Sequence, residues 1–198
     1  NYRFFDDERY FFSLEDIAKD FETSLEDLAQ PFLLDLDGKK VPFGFEVCED
    51  LWCEDYRRNG KAENVPNILI DNGSQYVVSI SASPWTFGKN KARDRRIAFL
   101  KQESGKDFVP FFYVNCTGVQ NNGKNLITFD GGTTVYNHEG LPVKLISQLY
   151  LEEILMVTEQ DLHSPPIERQ EEPKIAEKYH AILEGIRHVR DIYGSQQH

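Results

Sequence analysis

Basic residues are scarce in this chain, which has 22 Lys and Arg against 33 Asp and Glu. The resulting formal net charge of -11 repels phosphates and argues against binding to DNA or RNA. No apolar run approaches the roughly 18 residues of a membrane span, and the first residues are not an apolar leader. We therefore expect a cytoplasmic protein that binds neither nucleic acid nor membrane.

Cysteine is also rare, with three residues at Cys48, Cys53 and Cys116. An odd count of thiols in such a chain favours reduced cysteines over a disulfide framework. The five histidines are scattered and do not share ligand spacing with the cysteines, so no zinc site is predicted. Each thiol must instead be considered by itself.

The sequence V-P-F-G-F-E-V-C-E-D-L-W at 41–52 is where the chain becomes informative. An apolar run ends in Cys48 and two carboxylates, which is typical of a buried strand that presents a reactive side chain. A thiol with an ordinary pKa of about 8.5 is mostly protonated at neutral pH, so a nucleophilic Cys48 needs a nearby base or cation. The strand period sends Glu49 to the opposite face, and we expect the cation from elsewhere in the fold. The alternative is an inert buried thiol.

Two further apolar runs end in small polar residues. The second run comprises residues 67–70 and 76–80 and leads into S-A-S-P-W, and the third, residues 108–114, leads into Asn115. A helical pattern at 92–102 separates them. These features predict an α/β sheet that collects its polar side chains at one edge.

Shorter sequence patterns predict further helices and turns. Two S-L-E-D repeats within residues 13–30 predict one helical insertion or two short helices. D-L-D-G-K-K at 35–40 predicts a hairpin turn. The glycines in F-D-G-G-T-T-V-Y at 129–136 indicate a tight backbone before a strand, because a phosphate-binding loop would open a helix.

The basic cluster at 89–96 has two interpretations. It is either a solvated helix start, or Arg93 or Arg95 helps to hold the site or a neighbouring subunit.

Later in the chain, prolines and charges in H-S-P-P-I-E-R-Q-E-E-P indicate a linker, and apolar residues at helical spacing over 174–193 predict a helix.

Four sequence blocks in this order resemble the nitrilase-type glutaminase domain, a carbon-nitrogen hydrolase, of glutamine-dependent NAD synthetases. They are G-F-E-V-C-E-D-L-W, S-A-S-P-W with G-K and R downstream, Y-V-N-C-T-G, and F-D-G-G-T-T-V-Y. The segment N-Y-R-F-F-D-D-E-R-Y-F at 1–11 is similar as well. The resemblance implies a nitrilase-superfamily α-β-β-α sandwich, truncated at the N-terminus. It places the glutaminase domain at 1–158, a linker at 159–173 and the start of a helix towards a synthetase domain at 174–198.

The family works with a Glu, a Lys and a Cys, and Cys48 matches the nucleophile. The family's Lys lies a few residues before the segment matched at Asn1, and its Glu lies further upstream. We therefore expect a fragment that lacks both groups. Since a positioned base and a cation each commonly contribute about 10²-fold or more to the rate, we expect that fragment to be inactive.

The resemblance also implies substrate-binding residues. Tyr2 matches a tyrosine that lines the glutamine pocket, and Glu49 matches a carboxylate that faces the α-amino group of the substrate. Ser81 and Ser83 match serines that contact the substrate. Structural roles stay open for three of them, because serines often cap turns and Tyr2 lies in an aromatic cluster that would pack in a core.

The expected partners follow from the same resemblance. Glutamine is the substrate, and its ammonia would pass to the synthetase domain of the parent chain, which makes NAD from deamido-NAD. The S-G-G-x-D-S adenylating loop is not among these residues, so ATP and Mg belong to that domain and no cofactor is expected here. A homo-oligomer is expected. The alternatives are a stand-alone nitrilase- or amidase-type hydrolase and a non-catalytic scaffold fragment.

Overall fold

The computed structural model describes most of the chain, namely residues 11–55, 57–58, 61–62, 64–105, 108–121, 125–146, 149–169 and 174–194. Tyr2 lies outside the described residues. The side chains of residues 53–62, including that of Cys53, are not described either.

The strands and helices alternate along the chain in the manner of an α/β protein. The strands are β1 (Phe32–Leu36), β2 (Lys39–Val47), β3 (Arg57–Arg58), β4 (Lys61–Ala62), β5 (Tyr76–Ser81), β6 (Phe111–Asn115), β7 (Thr117–Asn121), β8 (Leu126–Asp130), β9 (Thr134–Tyr136) and β10 (Pro142–Leu145). The α-helices are α1 (Leu14–Asp20), α2 (Leu25–Leu28), α3 (Val65–Asp71), α4 (Lys89–Ser104) and α5 (Lys174–Gly194). Two 3-10 helices span Cys48–Asp55 and Glu159–His163.

Six strands form the main sheet in the order β1-β2-β5-β6-β9-β10. The central strands β2, β5 and β6 run parallel, and β1, β9 and β10 pair antiparallel with their neighbours. Strands β3–β4 and β7–β8 form two separate hairpins. Because parallel strands end at the same edge of a sheet, the residues after β2, β5 and β6 meet there, as predicted. The predicted α/β class is confirmed.

Helices α3 and α4 cover one face of the sheet and enclose the main core. Apolar side chains from the sheet, both helices and the 3-10 helix after β2 meet in this layer, among them Leu51, Ile70, Val77, Ile97, Leu100, Phe108 and Phe111. The opposite face is apolar but largely open in the described part of the chain. Val47, Ile80 and Val114 are 64%, 53% and 44% exposed there. This is the face that a second sheet covers in the predicted sandwich.

Local signals placed several elements correctly. Ser13 and Ser24 cap α1 and α2 by accepting hydrogen bonds from the backbone N–H groups of Asp16 and Asp27 at 3.0 Å. Residues 13–30 therefore form two short helices, which was one of the two predicted arrangements. The predicted hairpin between β1 and β2 is also confirmed, with the Gly38 N–H donating to Asp35 Oδ1 at 2.8 Å.

The second apolar run does not form one strand. Its first part, residues 67–70, lies in α3, and only the part from Tyr76 onwards is a strand. Asn64 caps α3 by accepting from the Asn67 N–H at 3.1 Å, and Pro66 lies in the first turn. Four apolar residues fit a buried helix turn as well as a strand, so the pattern alone could not separate them.

The segment before α5 is attached to the sheet layer. Arg169 donates to both oxygens of Asp94 on α4, at 2.6 and 3.0 Å, and to Thr134 Oγ1 at 2.7 Å. The predicted helix over 174–193 is confirmed as α5, with exposed apolar residues such as Ile182 and Ile186 along one side. Within the described residues, no helix is both long enough and apolar enough to cross a membrane.

Candidate active site

Cys48 lies where strand β2 stops. It opens the 3-10 helix Cys48–Asp55 with a φ of 50°, in the left-handed region that non-glycine residues rarely adopt. The Val47 N–H donates to Asp50 Oδ2 at 3.0 Å and fixes this turn. Strained backbone of this kind is common where a side chain has to be presented to a ligand.

The turn changes the surroundings of the thiol from those expected for a continuous strand. Because β2 ends at Val47, the strand period does not reach Glu49. The strand-period argument for the direction of Glu49 therefore does not apply, and the Glu49 charge raises the pKa of Cys48.

Several groups act on the half-buried sulfur of Cys48, which is a free thiol. Burial raises the pKa of the thiol, and this is the largest effect. A hydrogen bond from the Ala82 backbone, the charge of Lys89 and a hydrogen bond from the Ser81 side chain all lower that pKa. The site therefore stabilises a thiolate in part, against the cost of burying it.

Lys89 supplies a positive charge that acts on the Cys48 thiol, although the lysine implied by the resemblance lies before Asn1. It is the first residue of α4, directly after Gly88, whose φ of 75° turns the chain into the helix. Its Nζ donates to the Pro84 carbonyl at 3.3 Å. Burial and the charge of Arg93 lower the pKa of Lys89, and the Cys48 charge raises it. A lysine six residues after the second serine of S-A-S-P-W was the signal in the sequence.

The two predicted serines lie at the end of β5, close to Cys48. Ser81 is the last residue of the strand, and Ser83 follows in the loop. Ser81 and Ser83 are both buried. Asn115 holds the Ser83 backbone at both polar groups, with its Oδ1 accepting from the Ser83 N–H at 2.8 Å and its Nδ2 donating to the Ser83 carbonyl at 3.1 Å. The structure therefore brings Cys48, Glu49, Ser81 and Ser83 together at one edge of the sheet, whereas Tyr2 lies outside the described residues.

A buried arginine supports the start of α4. Arg93 is 1% exposed and lies over the Tyr113 ring, with its guanidinium carbon 3.5 Å from the ring centroid. Its Nη1 donates to Asn90 Oδ1 at 2.8 Å and to the Gly132 carbonyl at 3.2 Å. Asn90 in turn donates to Asp130 Oδ2 at 3.1 Å. Of the two arginines considered from sequence, Arg93 therefore braces the site, and Arg95 is exposed.

Gly131 and Gly132, directly after β8, allow the close packing around Arg93. Gly131 and Gly132 have φ values of 75° and 67°, and a Cβ at Gly132 would collide with Asn90. The backbone must approach α4 closely for Arg93 to reach the Gly132 carbonyl. The interpretation of these glycines as a tight backbone is confirmed.

Lys89→Met tests the electrostatic role of the lysine. A nearby opposite charge shifts a pKa by about one unit or more, so we expect roughly tenfold slower alkylation of Cys48 at neutral pH. The rate is measured with iodoacetamide and peptide-mapped mass spectrometry. Lys91→Met, which alters an exposed residue of the same helix, is the matched control and should leave the rate unchanged. An unchanged rate in Lys89→Met would show that the charge does not act on the sulfur.

Within the ranges that the structure describes, no group of three or more His, Cys, Asp or Glu side chains has the geometry to hold a metal ion. The chemistry available at the edge of the sheet is that of a thiol, a lysine, hydroxyls and carboxylates.

The fold and the site together define an α/β protein with a cysteine presented at the end of a central parallel strand. No protein-family model matches the sequence. The chain is similar to the glutamine-dependent NAD(+) synthetase of Synechocystis sp., with 36% identity over 125 residues, 61% of this chain and 20% of that protein. It is also similar to the glutamine-dependent NAD(+) synthetase of Xanthomonas campestris, with 29% identity over 140 residues, 71% of this chain and 20% of that protein.

A solved structure shows the same fold. The glutamine-dependent NAD+ synthetase from Acinetobacter baumannii, in complex with ADP, matches 96% of this chain and 31% of its own with a TM-score of 0.67 and 21% identity. The chain is thus similar to part of the enzymes named glutamine-dependent NAD(+) synthetases, and the resemblance found in the sequence blocks is confirmed. The matched region spans about one fifth of the length of the two relatives.

Proposed function

We propose that this chain is the glutamine-hydrolysing part of a glutamine-dependent NAD synthetase. The observation that carries the proposal is the environment of Cys48, a thiol on a strained turn with a half-buried lysine and hydrogen-bond donors beside it. Similarity to proteins named for glutamine dependence supports the choice of substrate. The domain limits proposed from sequence, 1–158, 159–173 and 174–198, remain our proposal for the chain.

The proposed reaction is acyl transfer through a thioester. The Cys48 thiolate attacks the side-chain amide carbon of glutamine, the C–N bond breaks, and the nitrogen leaves as ammonia after it takes up a proton. Water then attacks the thioester, which releases glutamate and returns the thiol. Hydrogen-bond donors beside the sulfur are suited to stabilising the oxyanion that forms in both steps.

The remaining site residues would bind the amino acid. Glu49 supplies a carboxylate that complements the α-ammonium group of glutamine. The Ser81 and Ser83 hydroxyls, held by the loop after β5, offer hydrogen bonds to the polar atoms of the substrate. Tyr2 is proposed to line the pocket on the strength of its sequence motif alone.

The ammonia would serve a second reaction in the parent enzyme. We propose that it passes to a synthetase domain, where ATP with Mg drives amidation of deamido-NAD to NAD. A homo-oligomer in the cytoplasm is the setting we propose.

For this chain by itself we expect little or no turnover, because burial keeps the pKa of the Cys48 thiol raised despite the nearby cation.

Covalent labelling tests the proposal directly. We expect an electrophilic diazoketone analogue of glutamine to modify Cys48 selectively, at a rate at least about tenfold above that of Cys116, and excess glutamine to protect it. Peptide-mapped mass spectrometry measures the modification at each of the three cysteines. Cys48→Ser should abolish the labelling, and Cys116→Ser should leave it intact.

The same experiment separates the alternatives. Labelling of Cys48 that small nitriles or amides prevent and glutamine does not would favour a stand-alone nitrilase- or amidase-type hydrolase. Equal labelling of all thiols, or none, would mean that no organised glutamine site exists and would favour a non-catalytic role.

A further inference from the structure

Arg169 ties the segment before α5 to the interior of the protein. It belongs to the sequence H-S-P-P-I-E-R-Q-E-E-P, which predicted a linker, yet its side chain is only 13% exposed. Its Nε and Nη2 donate to the two carboxylate oxygens of Asp94 on α4, at 2.6 and 3.0 Å, and its Nη2 also donates to Thr134 Oγ1 at 2.7 Å. A bidentate ion pair that is mostly shielded from solvent fixes the geometry of its partners. The proposed reaction gives this contact no role.

Tyr136 holds the carboxylate of this pair from a second side. Its hydroxyl donates to Asp94 Oδ1 at 2.7 Å. Burial is the main cause that raises the pKa of Tyr136 above its ordinary value, so the phenol keeps its proton and remains a donor. Thr134, the other acceptor of Arg169, is fully buried. We call these four side chains, Asp94, Thr134, Tyr136 and Arg169, the Arg169 cluster.

Hydrogen bonds continue from the Arg169 cluster to the start of α4. Thr134 Oγ1 donates to the Gly132 carbonyl at 2.7 Å, and the same carbonyl accepts from Arg93 Nη1 at 3.2 Å. Arg93 Nη1 also donates at 2.8 Å to Oδ1 of Asn90, the residue after Lys89. Direct hydrogen bonds therefore join the cluster to the first turn of the helix that carries Lys89.

A second branch leads from the same turn to Ser83. Thr133, between Gly132 and Thr134, accepts from the Asn115 N–H at its Oγ1 over 3.2 Å. The Asn115 side chain binds both backbone polar groups of Ser83. The turn at 132–134 thus supports both ends of the loop 83–89, which begins at Ser83 and reaches α4 at its last residue.

Helix α5 contacts the middle of this loop. The Nζ atoms of Lys174 and Lys178 lie 5.9 and 5.6 Å from the centroid of the Phe87 ring, which is 41% exposed. Contacts of this kind contribute little at an exposed ring. They nevertheless show, independently of Arg169, that the start of α5 lies beside the loop 83–89.

We propose that Arg169 is a positioning residue for the Cys48 site, and that it keeps Ser83 and Lys89 in place through the turn at 132–134. Arg169 touches neither the sulfur nor the substrate in this scheme and acts only through the hydrogen bonds described. The inference rests on the proposed role of Cys48 as the nucleophile.

The physical reason is the number of contacts that meet at one side chain. Without the guanidinium, Asp94 loses its ion-pair partner and the Thr134 hydroxyl loses a donor. A hydroxyl that no longer has its donor is free to turn away from the Gly132 carbonyl, so the turn is held less firmly. The start of α4 then loses part of its support, and Lys89 occupies its position for less of the time.

The reactivity of Cys48 reports the position of Lys89. The charges that act on the thiol are Lys89, which lowers its pKa, and Glu49, which raises it. When the lysine is displaced, the pKa of the thiol rises and its alkylation shifts to higher pH.

Arg169→Met tests the inference in the 198-residue chain. The rate of Cys48 alkylation by iodoacetamide is measured by peptide-mapped mass spectrometry between about pH 6 and 10. We expect the midpoint of the pH profile to rise by about half a unit, and alkylation at neutral pH to be roughly threefold slower.

Lys144→Met is the matched control. It removes the 2.9 Å ion pair between Lys144 and Asp161, which attaches the same segment to β10 and is not part of the path to the site. It should keep the wild-type midpoint. Loss of an attachment that merely stabilises the fold would act alike in the two variants, so the comparison separates positioning from stability.

Two further variants examine the path. Thr134→Val keeps the Asp94 ion pair but removes the hydroxyl that reaches Gly132, and we expect at least about half of the midpoint shift. Arg169→Met should cause no further shift in a Lys89→Met background, because its effect is exerted through the lysine. Far-UV circular dichroism and thermal unfolding report whether each variant is folded, and Thr134→Val decides the matter if Arg169→Met is not.

The outcomes distinguish this inference from the proposed function. An unchanged midpoint in either folded variant, an equal shift in Lys144→Met, or a shift that persists in the Lys89→Met background overturns the positioning role. In each of these cases labelling by the glutamine analogue still decides the glutaminase function. If the midpoint shifts as expected but the analogue does not label Cys48, the positioning role stands and the glutaminase function fails.

Discussion

Replacing Arg93 by methionine is expected to lower the free energy of unfolding by about 3–5 kcal/mol, because it removes one side of a buried charged network. The substitution keeps much of the aliphatic volume but leaves Asn90 Oδ1 without its Arg93 donor and the Gly132 carbonyl with the Thr134 hydroxyl as its remaining donor in the described structure. It also removes the guanidinium from the face of Tyr113. Asp130, which is buried and linked to Arg93 through Asn90, would then lose part of the positive charge that compensates it.

Denaturant unfolding of the two proteins measures this effect, with the slope of the transition checked for a change in the denatured state. Arg95→Met alters an exposed residue of the same helix and should change the stability by no more than about 0.5 kcal/mol. Arg93→Lys keeps the charge but loses the planar stacking on Tyr113, and we expect an intermediate loss. A loss below about 1 kcal/mol in Arg93→Met would contradict the bracing role.

The part of the fold that brings the site together could be predicted from sequence because it depends on strand direction. Three apolar runs that each end in small polar residues gave β2, β5 and β6, and parallel pairing brings their ends to one edge. Residues 67–70 were misjudged, since a four-residue apolar run carries no periodicity. The cap at Asn64 and the proline at position 66 were the local signals for a helix there.

Within the site, residues adjacent to a motif could be predicted and residues that depend on packing could not. Cys48 directly follows β2 and Ser81 is the last residue of β5, so topology alone places them together. Lys89 was seen only as part of a basic cluster, because the turn at Gly88 that starts α4 is a matter of backbone geometry. Glu46 was overlooked because it lies in an apolar strand. A carboxylic acid two residues before the nucleophile, within a run of Val and Phe, was nevertheless a usable signal.

Glu46 also makes the stability of the protein depend on pH. Its pKa of about 8 in the folded state lies well above the ordinary value of 4.5 that we take for the unfolded chain. Below the lower value both states are protonated and the group has no effect on stability. Between the two values the unfolded state ionises while the folded state keeps its proton, so ionisation favours unfolding. Above about pH 8 both states are ionised, and the destabilisation no longer grows.

Glu46→Gln should therefore stabilise the protein, increasingly as the pH rises. Each pH unit between the two pKa values is worth about 1.4 kcal/mol, so the stability difference between variant and wild type should widen by roughly 3–4 kcal/mol from about pH 5 to about pH 8. Denaturant unfolding at both pH values measures it, with Glu152→Gln, an exposed carboxyl, as the control that should show no such widening. A constant difference would mean that Glu46 is ionised in the folded protein across this range.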